Sequence, residues 1–333
     1  MNILVTPDPT HYPGIIDDNA KSRLESLGTI FYRGDLNEET TEDEYNAAIK
    51  QSRAEIVVTG WHGPRLTLKI YEDNPRLKYM CHVCGAVRKF VELEAIEAGL
   101  IVSNWGSVIA KSVAEGALMM ILAGLRRVTY FQMEMHVRKG WLGHRQNIGL
   151  LRQKVGLFGL GAVARELVKL LILFDCEISA YDPFFPGSLF EEMGVMRVSS
   201  LEELFVSNPI ISVHAANTPE NYHIIDAELL AKIPDGGLLV NTARGAIIDE
   251  NALIAELKSG RIDAALDVFE VEPLDHDSEF RGLENCLLIP HMAGPSFDRR
   301  VDIGYVAIEN IENYINGREI KNVITPEKYV MIT

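Results

Sequence analysis

The chain has 333 residues, which at roughly 150 residues per domain predicts about two domains and excludes a small disulfide-stapled scaffold. Hydrophobic residues make up 47% and charged residues 24%, which is enough apolar material for a sizeable core and too little charge for a disordered chain. The 32 Lys and Arg against 47 Asp and Glu give a net charge of −15, which disfavours nucleic acid and anionic membranes as partners.

The N-terminus predicts a β-strand and not a targeting signal. Its apolar run at 3–5 has no basic residue before it and stops after Val5. The longest uncharged apolar stretch, about 117–125, is far shorter than the ~18 residues that a membrane span needs. The four cysteines, at 81, 84, 176 and 286, are too few and too unevenly spaced for a disulfide framework. We therefore expect a cytoplasmic protein in a reducing compartment.

Short apolar runs alternate with helical spacing in the first hundred residues. The runs that predict strands lie at 3–5, 29–32, 56–59, 79–83 and 100–103. Ser112-Val113-Ala114-Glu115 has the spacing of a capping box and predicts the start of a long helix. The runs up to residue 103 indicate a smaller α/β domain, and the helix that starts at Ser112 is expected to connect it to the next domain.

The same alternation is stronger after residue 153. Strands are predicted at 155–158, 178–181, 195–198, 210–214, 238–241, 264–268 and 287–289. Ser200 with Glu203 forms another capping-box pattern, and Asp226 and Asp249 are predicted N-caps. This is the pattern of βαβ units, so we predict a doubly wound parallel sheet of the Rossmann type. The predicted domains are 1–104 with 299–333, the helix at 299–315 packing back on the first domain, and 105–298.

A dinucleotide fingerprint opens the second domain. Gly159-Leu160-Gly161-Ala162-Val163-Ala164 follows a predicted strand and precedes a helix, in the pattern G-x-G-x-x-A. Gly159 permits the tight turn, Gly161 lets the backbone approach a pyrophosphate, and the helix start at Ala162 and Val163 supplies N–H groups. Asp182, at the end of the next strand, suits the ribose 2′-hydroxyl and would repel a 2′-phosphate. The pattern therefore predicts NAD and not NADP.

Three later segments carry a family resemblance. Asn241-Thr242-Ala243-Arg244-Gly245, then Leu266-Asp267-Val268-Phe269-Glu270-Val271-Glu272-Pro273, then Pro290-His291-Met292-Ala293-Gly294 resemble, in order and spacing, motifs of the NAD-dependent D-2-hydroxyacid dehydrogenases. The likeness is strongest from Val155 to Gly294 and fades before about residue 75. It implies a Rossmann-type NAD domain, a smaller flavodoxin-like substrate domain, and hydride transfer between NAD(H) and a small D-2-hydroxy acid or its 2-keto acid.

The chemistry of that reaction gives three residues distinct roles. Arg244 suits the substrate carboxylate, which a guanidinium grips in a bidentate fork. His291 is the predicted general acid in reduction and general base in oxidation, and Glu272 would orient its imidazole and favour the protonated form. The resemblance also places Ala243 at the cofactor and Asp267 at the nicotinamide carboxamide, although an Asp that closes a strand also caps a turn.

The substrate turn of the small domain departs from the family pattern. Where the family has G-x-G-x-D, this chain has Cys84-Gly85-Ala86-Val87-Arg88. Backbone N–H groups around Cys84 and Gly85 can still meet a carboxylate, and Arg88 either adds a cation suited to a second acidic group or pairs with Glu92 or Glu94. Cys81 and Cys84 have C-x-x-C spacing, but we interpret them as buried thiols and predict no metal site.

The motifs leave alternatives open for both the partner and the function of the protein. The resemblance implies a homodimer through an arm at 130–145, while packing of that arm inside one chain is the alternative. The leading function is the dehydrogenase; the second is an NAD(H)-sensing binding protein like the corepressors that resemble this family. Formate oxidation is disfavoured because its enzymes lack a Glu beside the His, whereas Glu272 is present.

Overall fold

Two parallel β-sheets with flanking helices organise the chain in the computed structural model, which describes residues 1–7, 14–141 and 146–331. The chain divides into two compact units. The first comprises Met1–Ile109 with Pro295–Thr333, and the second is Ala110–Gly294. The sequence placed these boundaries at 104/105 and 298/299. Within the described residues, no helix is both long enough and apolar enough to cross a membrane.

The first unit has a five-stranded sheet in the order β2-β1-β3-β4-β5, with every pairing parallel. This is the doubly wound order of flavodoxin-like folds. Its strands are β1 (Asn2–Val5), β2 (Thr29–Tyr32), β3 (Ile56–Thr59), β4 (Tyr79–His82) and β5 (Ile101–Ser103). The helices between them are α1 (Asp18–Glu25), α2 (Glu42–Ser52), α3 (Leu68–Asp73) and α4 (Leu93–Glu97). All five strands lie where the apolar runs predicted them.

The second unit begins with helices. They are α5 (Ala110–Leu125) and α6 (Val128–Gln132), continued by a π-helical turn at Met133–Val137. Of the predicted arm at 130–145, residues 142–145 lie outside the described residues. Tyr130 is buried inside this unit, whereas Trp141 is 77% exposed. The start of the arm therefore belongs to the core of its own chain.

The seven-stranded sheet of the second unit has the order β12-β11-β10-β9-β6-β7-β8, again wholly parallel. The strand order reverses between β6 and β9, which confirms the predicted Rossmann-type sheet. The strands are β6 (Lys154–Phe158), β7 (Glu177–Tyr181), β8 (Met196–Arg197), β9 (Ile210–Val213), β10 (Leu238–Asn241), β11 (Asp263–Leu266) and β12 (Cys286–Leu288). The intervening helices are α7 (Ala162–Ile172), α8 (Gly187–Glu192), α9 (Leu201–Ser207), α10 (Ala227–Leu230) and α11 (Glu250–Ser259).

After the second unit the chain returns to the first with α12 (Arg300–Ile315) and α13 (Pro326–Met331). Ile303, Ile308 and Ile311 of α12 lie in one core cluster with Ile3 and Val5 of β1. The prediction that the C-terminal helix packs on the first unit is confirmed. The apolar face of α12 is buried at this contact, so the helix is stabilised by packing and not by its propensity alone.

The helix-start predictions were right at three positions and wrong at one. Asp226, Asp249 and Ser200 are N-caps whose side chains accept N–H groups of the first turn. The second half of the Ser200 box differs, because Glu203 accepts the N–H of Ser199 at 2.8 Å. Ser112 is not an N-cap: α5 already begins at Ala110, and the Ser112 hydroxyl donates to the carbonyl of Gly294 at 3.2 Å.

Candidate active site

The predicted site residues of the second unit follow the carboxyl ends of its strands. Parallel strands place these ends along one edge of the sheet, and ligands of doubly wound folds bind there, next to the point where the strand order reverses. Turns after β6, β7, β10, β11 and β12 carry the candidate residues. The fold therefore collects on one edge residues that are far apart in the sequence.

Gly159 follows β6 in a conformation that needs glycine. Its φ is +94°, and a Cβ there would lie 2.8 Å from the backbone nitrogen of Ala215. Ala215 follows β9, so the turns after β6 and β9 approach each other closely at the reversal point. A side chain at 159 would force these two turns apart.

Gly161 leaves space for a ligand. It is the N-cap of α7 and has no side chain with which to cap the helix. Apart from Gly161 itself, its two chain neighbours and the backbone of its own helix, no atom of the described residues lies within 4 Å of the position that a Cβ on Gly161 would take. The first turn at Ala162 and Val163 therefore presents backbone N–H groups, with the positive end of the helix dipole, to an open region. This arrangement fits the pyrophosphate of a dinucleotide.

Asp182 is tied to the glycine turn. The residue is 8% exposed; its Oδ2 accepts the N–H of Leu160 at 2.8 Å and its Oδ1 accepts the N–H of Phe184 at 2.9 Å. Each carboxylate oxygen has a second lone pair. Asp182 can thus fix the turn and still accept a ribose hydroxyl, as the sequence predicts.

A buried asparagine shapes the Arg244 turn. Asn241 Oδ1 accepts the N–H of Ala243 at 3.0 Å, and its Nδ2 donates to the carbonyl of Arg244 at 2.9 Å. Sequence reasoning assigned Asn241 no role, although an Asn that bonds the backbone two residues on is a known turn signal. Burial lowers the pKa of Arg244 below its ordinary value, and the negative charge of Glu272 opposes that shift. A partly desolvated guanidinium makes strong charge-assisted hydrogen bonds to an anion.

His291 and Glu272 form the predicted pair. Nδ1 of His291 lies 2.7 Å from Oε2 of Glu272, and the imidazole is 51% exposed. Glu272 Oε1 accepts the N–H of Phe269 at 3.0 Å, which holds the carboxylate in place. An ionised carboxylate only accepts hydrogen bonds, so Nδ1 is the donor and Nε2 is the ring atom available to a substrate.

Asp267 holds the histidine loop. It is buried, its Oδ1 accepts the N–H groups of Met292 at 2.7 Å and Ala293 at 2.9 Å, and its carbonyl accepts the N–H of His291 at 2.8 Å. These bonds keep His291 at φ +53°, a left-handed conformation that is unfavourable for most residues. Burial raises the pKa of Asp267. The turn-capping alternative is what the structure shows, and the contact with a nicotinamide stays a prediction.

The substrate turn predicted in the first unit buries the side chains of Cys84 and Val87. Cys81 and Cys84 are free buried thiols, which confirms their interpretation, and burial raises the pKa of Cys81 to about 11. Cys84 Sγ accepts the N–H of Trp61 at 3.1 Å, so a substrate contact at Cys84 is confined to its backbone. Arg88 Nε donates to the carbonyl of Tyr329 at 3.0 Å.

Comparison with known proteins gives three kinds of match: a family model, individual relatives and solved structures. The family model described as D-isomer specific 2-hydroxyacid dehydrogenase, NAD binding domain, matches residues 118–293. A D-3-phosphoglycerate dehydrogenase of Methanocaldococcus jannaschii is 32% identical over 97% of this chain, which spans 59% of that protein's length. A hydroxypyruvate reductase of Thermotoga maritima is 33% identical over 74% of this chain and 80% of its own.

A solved structure agrees in fold. The TT0316 protein of Thermus thermophilus superposes with a TM-score of 0.80 at 25% identity, covering 98% of this chain and 100% of its own. The family match includes the glycine turn, Asp182, Arg244, Glu272 and His291.

Proposed function

Because this chain belongs to the D-isomer-specific 2-hydroxyacid dehydrogenase family, we propose that it transfers a hydride between NAD(H) and a small D-2-hydroxy acid or its 2-keto acid. The observation that carries the proposal is the 2.7 Å contact between His291 Nδ1 and Glu272 Oε2, in the same unit as the glycine turn that we propose binds NAD. A histidine paired in this way is equipped to give up and recover a proton.

His291 acts as the acid–base group. In reduction, Nε2 of the imidazolium donates a proton to the carbonyl oxygen as that atom gains negative charge. In oxidation, neutral Nε2 accepts the hydroxyl proton. Glu272 keeps the proton on Nδ1, so that the substrate always meets Nε2, and its charge stabilises the imidazolium.

Arg244 binds the substrate carboxylate. Its backbone is fixed by Asn241, and its guanidinium is partly withdrawn from water, so a bidentate ion pair there is both oriented and strong. Holding the carboxylate also fixes the direction of the neighbouring carbonyl group relative to His291.

The residues that hold the dinucleotide are the glycine turn and Asp182. Gly161 with the N–H groups of Ala162 and Val163 receives the pyrophosphate, Asp182 receives the ribose, and Ala243 and Asp267 complete the proposed cofactor contacts. When bound, NAD(H) supplies or takes up the hydride. The carboxylate of Asp182 favours NAD over NADP because it repels a 2′-phosphate; tighter binding of NADPH than NADH in a fluorescence titration would contradict this.

In the first unit we propose that backbone N–H groups of Cys84 and Gly85 contact the substrate, with Arg88 near any second acidic group. We also propose a homodimer formed through the arm. The exposed apolar side chains of Met135, Val137 and Trp141 support that contact. Light scattering of the purified protein measures the mass, and a monomer at assay concentration would contradict the dimer.

The test is NADH oxidation with a panel of 2-keto acids: glyoxylate, pyruvate, hydroxypyruvate, phenylpyruvate and dicarboxylates. We expect steady NADH consumption with at least one of them, and formation of the D-hydroxy acid measured by chiral chromatography. Tight NADH binding with no turnover of any keto acid would instead support the NAD(H)-sensing alternative.

A further inference from the structure

A second histidine–carboxylate pair lies beside the loop that carries Glu272. His223 Nε2 lies 3.1 Å from Glu270 Oε2, and the hydroxyl of Tyr222 donates to Glu270 Oε1 at 2.9 Å. The rings of Tyr222 and His223 stack with 4.0 Å between centroids and 13° between planes. Both oxygens of Glu270 are therefore engaged by one short segment of the chain, which has no role in the hydride transfer described above.

The backbone of the same histidine is joined to the Arg244 turn. The N–H of His223 donates to the carbonyl of Ala246 at 2.9 Å, two residues after Arg244. His223 has φ +51°, close to the φ +53° of His291. It thus contacts the Arg244 turn through its main chain and the Glu272 loop through its side chain.

The peptide between Phe269 and Glu270 transmits this contact. A Cβ on Gly245 would overlap that peptide, so the residue after Arg244 packs directly against it. The N–H of Glu270 donates to Glu250 Oε1 at 2.8 Å, and the N–H of Phe269 donates to Glu272 Oε1 at 3.0 Å. Because Phe269 and Glu270 are adjacent, a displacement of Glu270 also moves the Phe269 N–H group that donates to Glu272.

The region concentrates negative charge. Burial raises the pKa of Glu250, and the charges of Glu270 and Glu272 add to that rise, while the Glu270 N–H and His223 oppose it. The hydrogen bond to Glu270 raises the pKa of Tyr222, with a further contribution from Asp249. Among the described residues, Tyr222 and Glu250 are hydrogen-bonded to Glu270, and the charges of Asp249 and Glu272 act on those two groups. A donor at 223 therefore offsets repulsion among acids.

We propose that His223 is a positioning residue that bridges the Arg244 turn and the Glu272 loop through Glu270, and so keeps Glu272 aligned with Nδ1 of His291. This inference rests on the proposed function, because His223 acts through the acid–base pair and does not touch the substrate. A misplaced Glu272 stabilises the imidazolium of His291 less well, so the proton donor is lost at lower pH.

Three variants test the role. His223→Leu removes the donor, His223→Gln keeps an amide N–H of similar reach, and His276→Asn is the matched control, since the His276 side chain is 98% exposed beside Asp277. For His223→Leu we expect kcat to fall about tenfold, the KM for the keto acid and the Kd for NADH to change less than about twofold, and the alkaline limb of the kcat profile to move to lower pH. His223→Gln should restore most of kcat and the wild-type position of the alkaline limb. His276→Asn should match the wild type in both.

A fall in kcat with an unmoved limb, or no recovery in His223→Gln, would show that His223 only supports the fold. NMR titration of 13C-labelled histidines gives a readout without turnover, with the His291 signal assigned from His291→Asn. The midpoint of His291 should move to lower pH in His223→Leu, and an unchanged midpoint overturns the inference. If the wild type reduces none of the keto acids, the proposed function fails while this titration still decides the role of His223.

Discussion

The turns that follow parallel strands differ between the two units. In the second unit these turns present side chains. The side chains of Asn241 and Asp267 form hydrogen bonds to the backbone of the turns that carry Arg244 and His291, and so fix those turns. In the first unit the turn after β4 does the opposite. Cys84 points into the core, and Arg88 is bonded to the carbonyl of Tyr329.

The packing around the first-unit turn explains this difference. Asn104 Nδ2 donates to the carbonyl of Gly85 at 2.7 Å, and a Cβ on Gly85 would lie 2.7 Å from the Trp105 indole nitrogen. Around Cys84 and Gly85 the turn is held by its neighbours and offers a substrate only its backbone, so the residue types at these two positions can vary. A turn that acts through side chains cannot vary in this way, because the chemistry needs particular functional groups.

The largest expected effect comes from the second unit. His291→Asn keeps a residue that tolerates φ +53° but removes the proton donor, so kcat should fall about 10²–10⁴-fold. NADH affinity, measured by fluorescence titration, should stay within about twofold of the wild type, since His291 is not among the proposed cofactor contacts. An unchanged kcat would show that His291 is not the proton donor. The contrast between side-chain turns in the second unit and a backbone turn in the first would then lose its main support.

Arg244→Lys tests whether the fork geometry matters or only the charge. A lysine keeps the positive charge but cannot make two parallel hydrogen bonds to a carboxylate. We expect kcat/KM for the keto acid to fall about 10–100-fold, in line with the loss of one charge-assisted hydrogen bond or more. NADH affinity serves as the control. A variant with wild-type kcat/KM would show that the carboxylate is held elsewhere.

Gly161→Ala separates cofactor binding from folding. Gly161 has φ −66°, which alanine adopts readily, and the surrounding described residues leave room for a methyl group. The melting temperature should therefore stay the same or rise slightly, because alanine restricts the unfolded chain. NADH affinity should fall by about tenfold, since the methyl group takes the space of the pyrophosphate.

Gly159→Ala is the contrasting variant. Here the positive φ and the backbone of Ala215 oppose a side chain, so the free energy of unfolding should fall by at least about 1–2 kcal/mol in urea titrations. If the free energy of unfolding fell as much in Gly161→Ala as in Gly159→Ala, glycine at 161 would be required by the fold and not by the cofactor.

The strands of both units could be predicted because each is a short apolar run bounded by turn residues, a signal contained within a few positions. The glycine turn with Asp182, and the order of Arg244, Glu272 and His291, could be recognised in the sequence for a related reason: each proposed role requires one type of residue. Ser112 shows the limit of such local signals. Its S-x-x-E spacing also occurs inside a helix, and the contact that decides its position is with Gly294, 182 residues away.

The remaining features depend on contacts between distant positions. His223 and Glu270 are 47 residues apart, and neither belongs to a pattern with a mechanism of its own. Asn241 is the first residue of a recognised motif, but its two hydrogen bonds follow from the conformation of the turn. Sequence spacing predicted neither pairing because the fold, and not the local chain, brings these groups together.

The smallest expected effect concerns the first unit. Arg88 is bonded to the carbonyl of Tyr329, 241 residues away, which restrains its guanidinium. If it nevertheless meets a second acidic group, Arg88→Leu should lower kcat/KM about two- to threefold for a dicarboxylic keto acid and leave that for pyruvate unchanged, as expected for a partly solvated ion pair. If Arg88→Leu instead changed kcat/KM by the same factor for both substrates and lowered the melting temperature, Arg88 would be assigned to the packing of α13. That result would sharpen the contrast, because the first-unit turn would then contribute backbone groups alone.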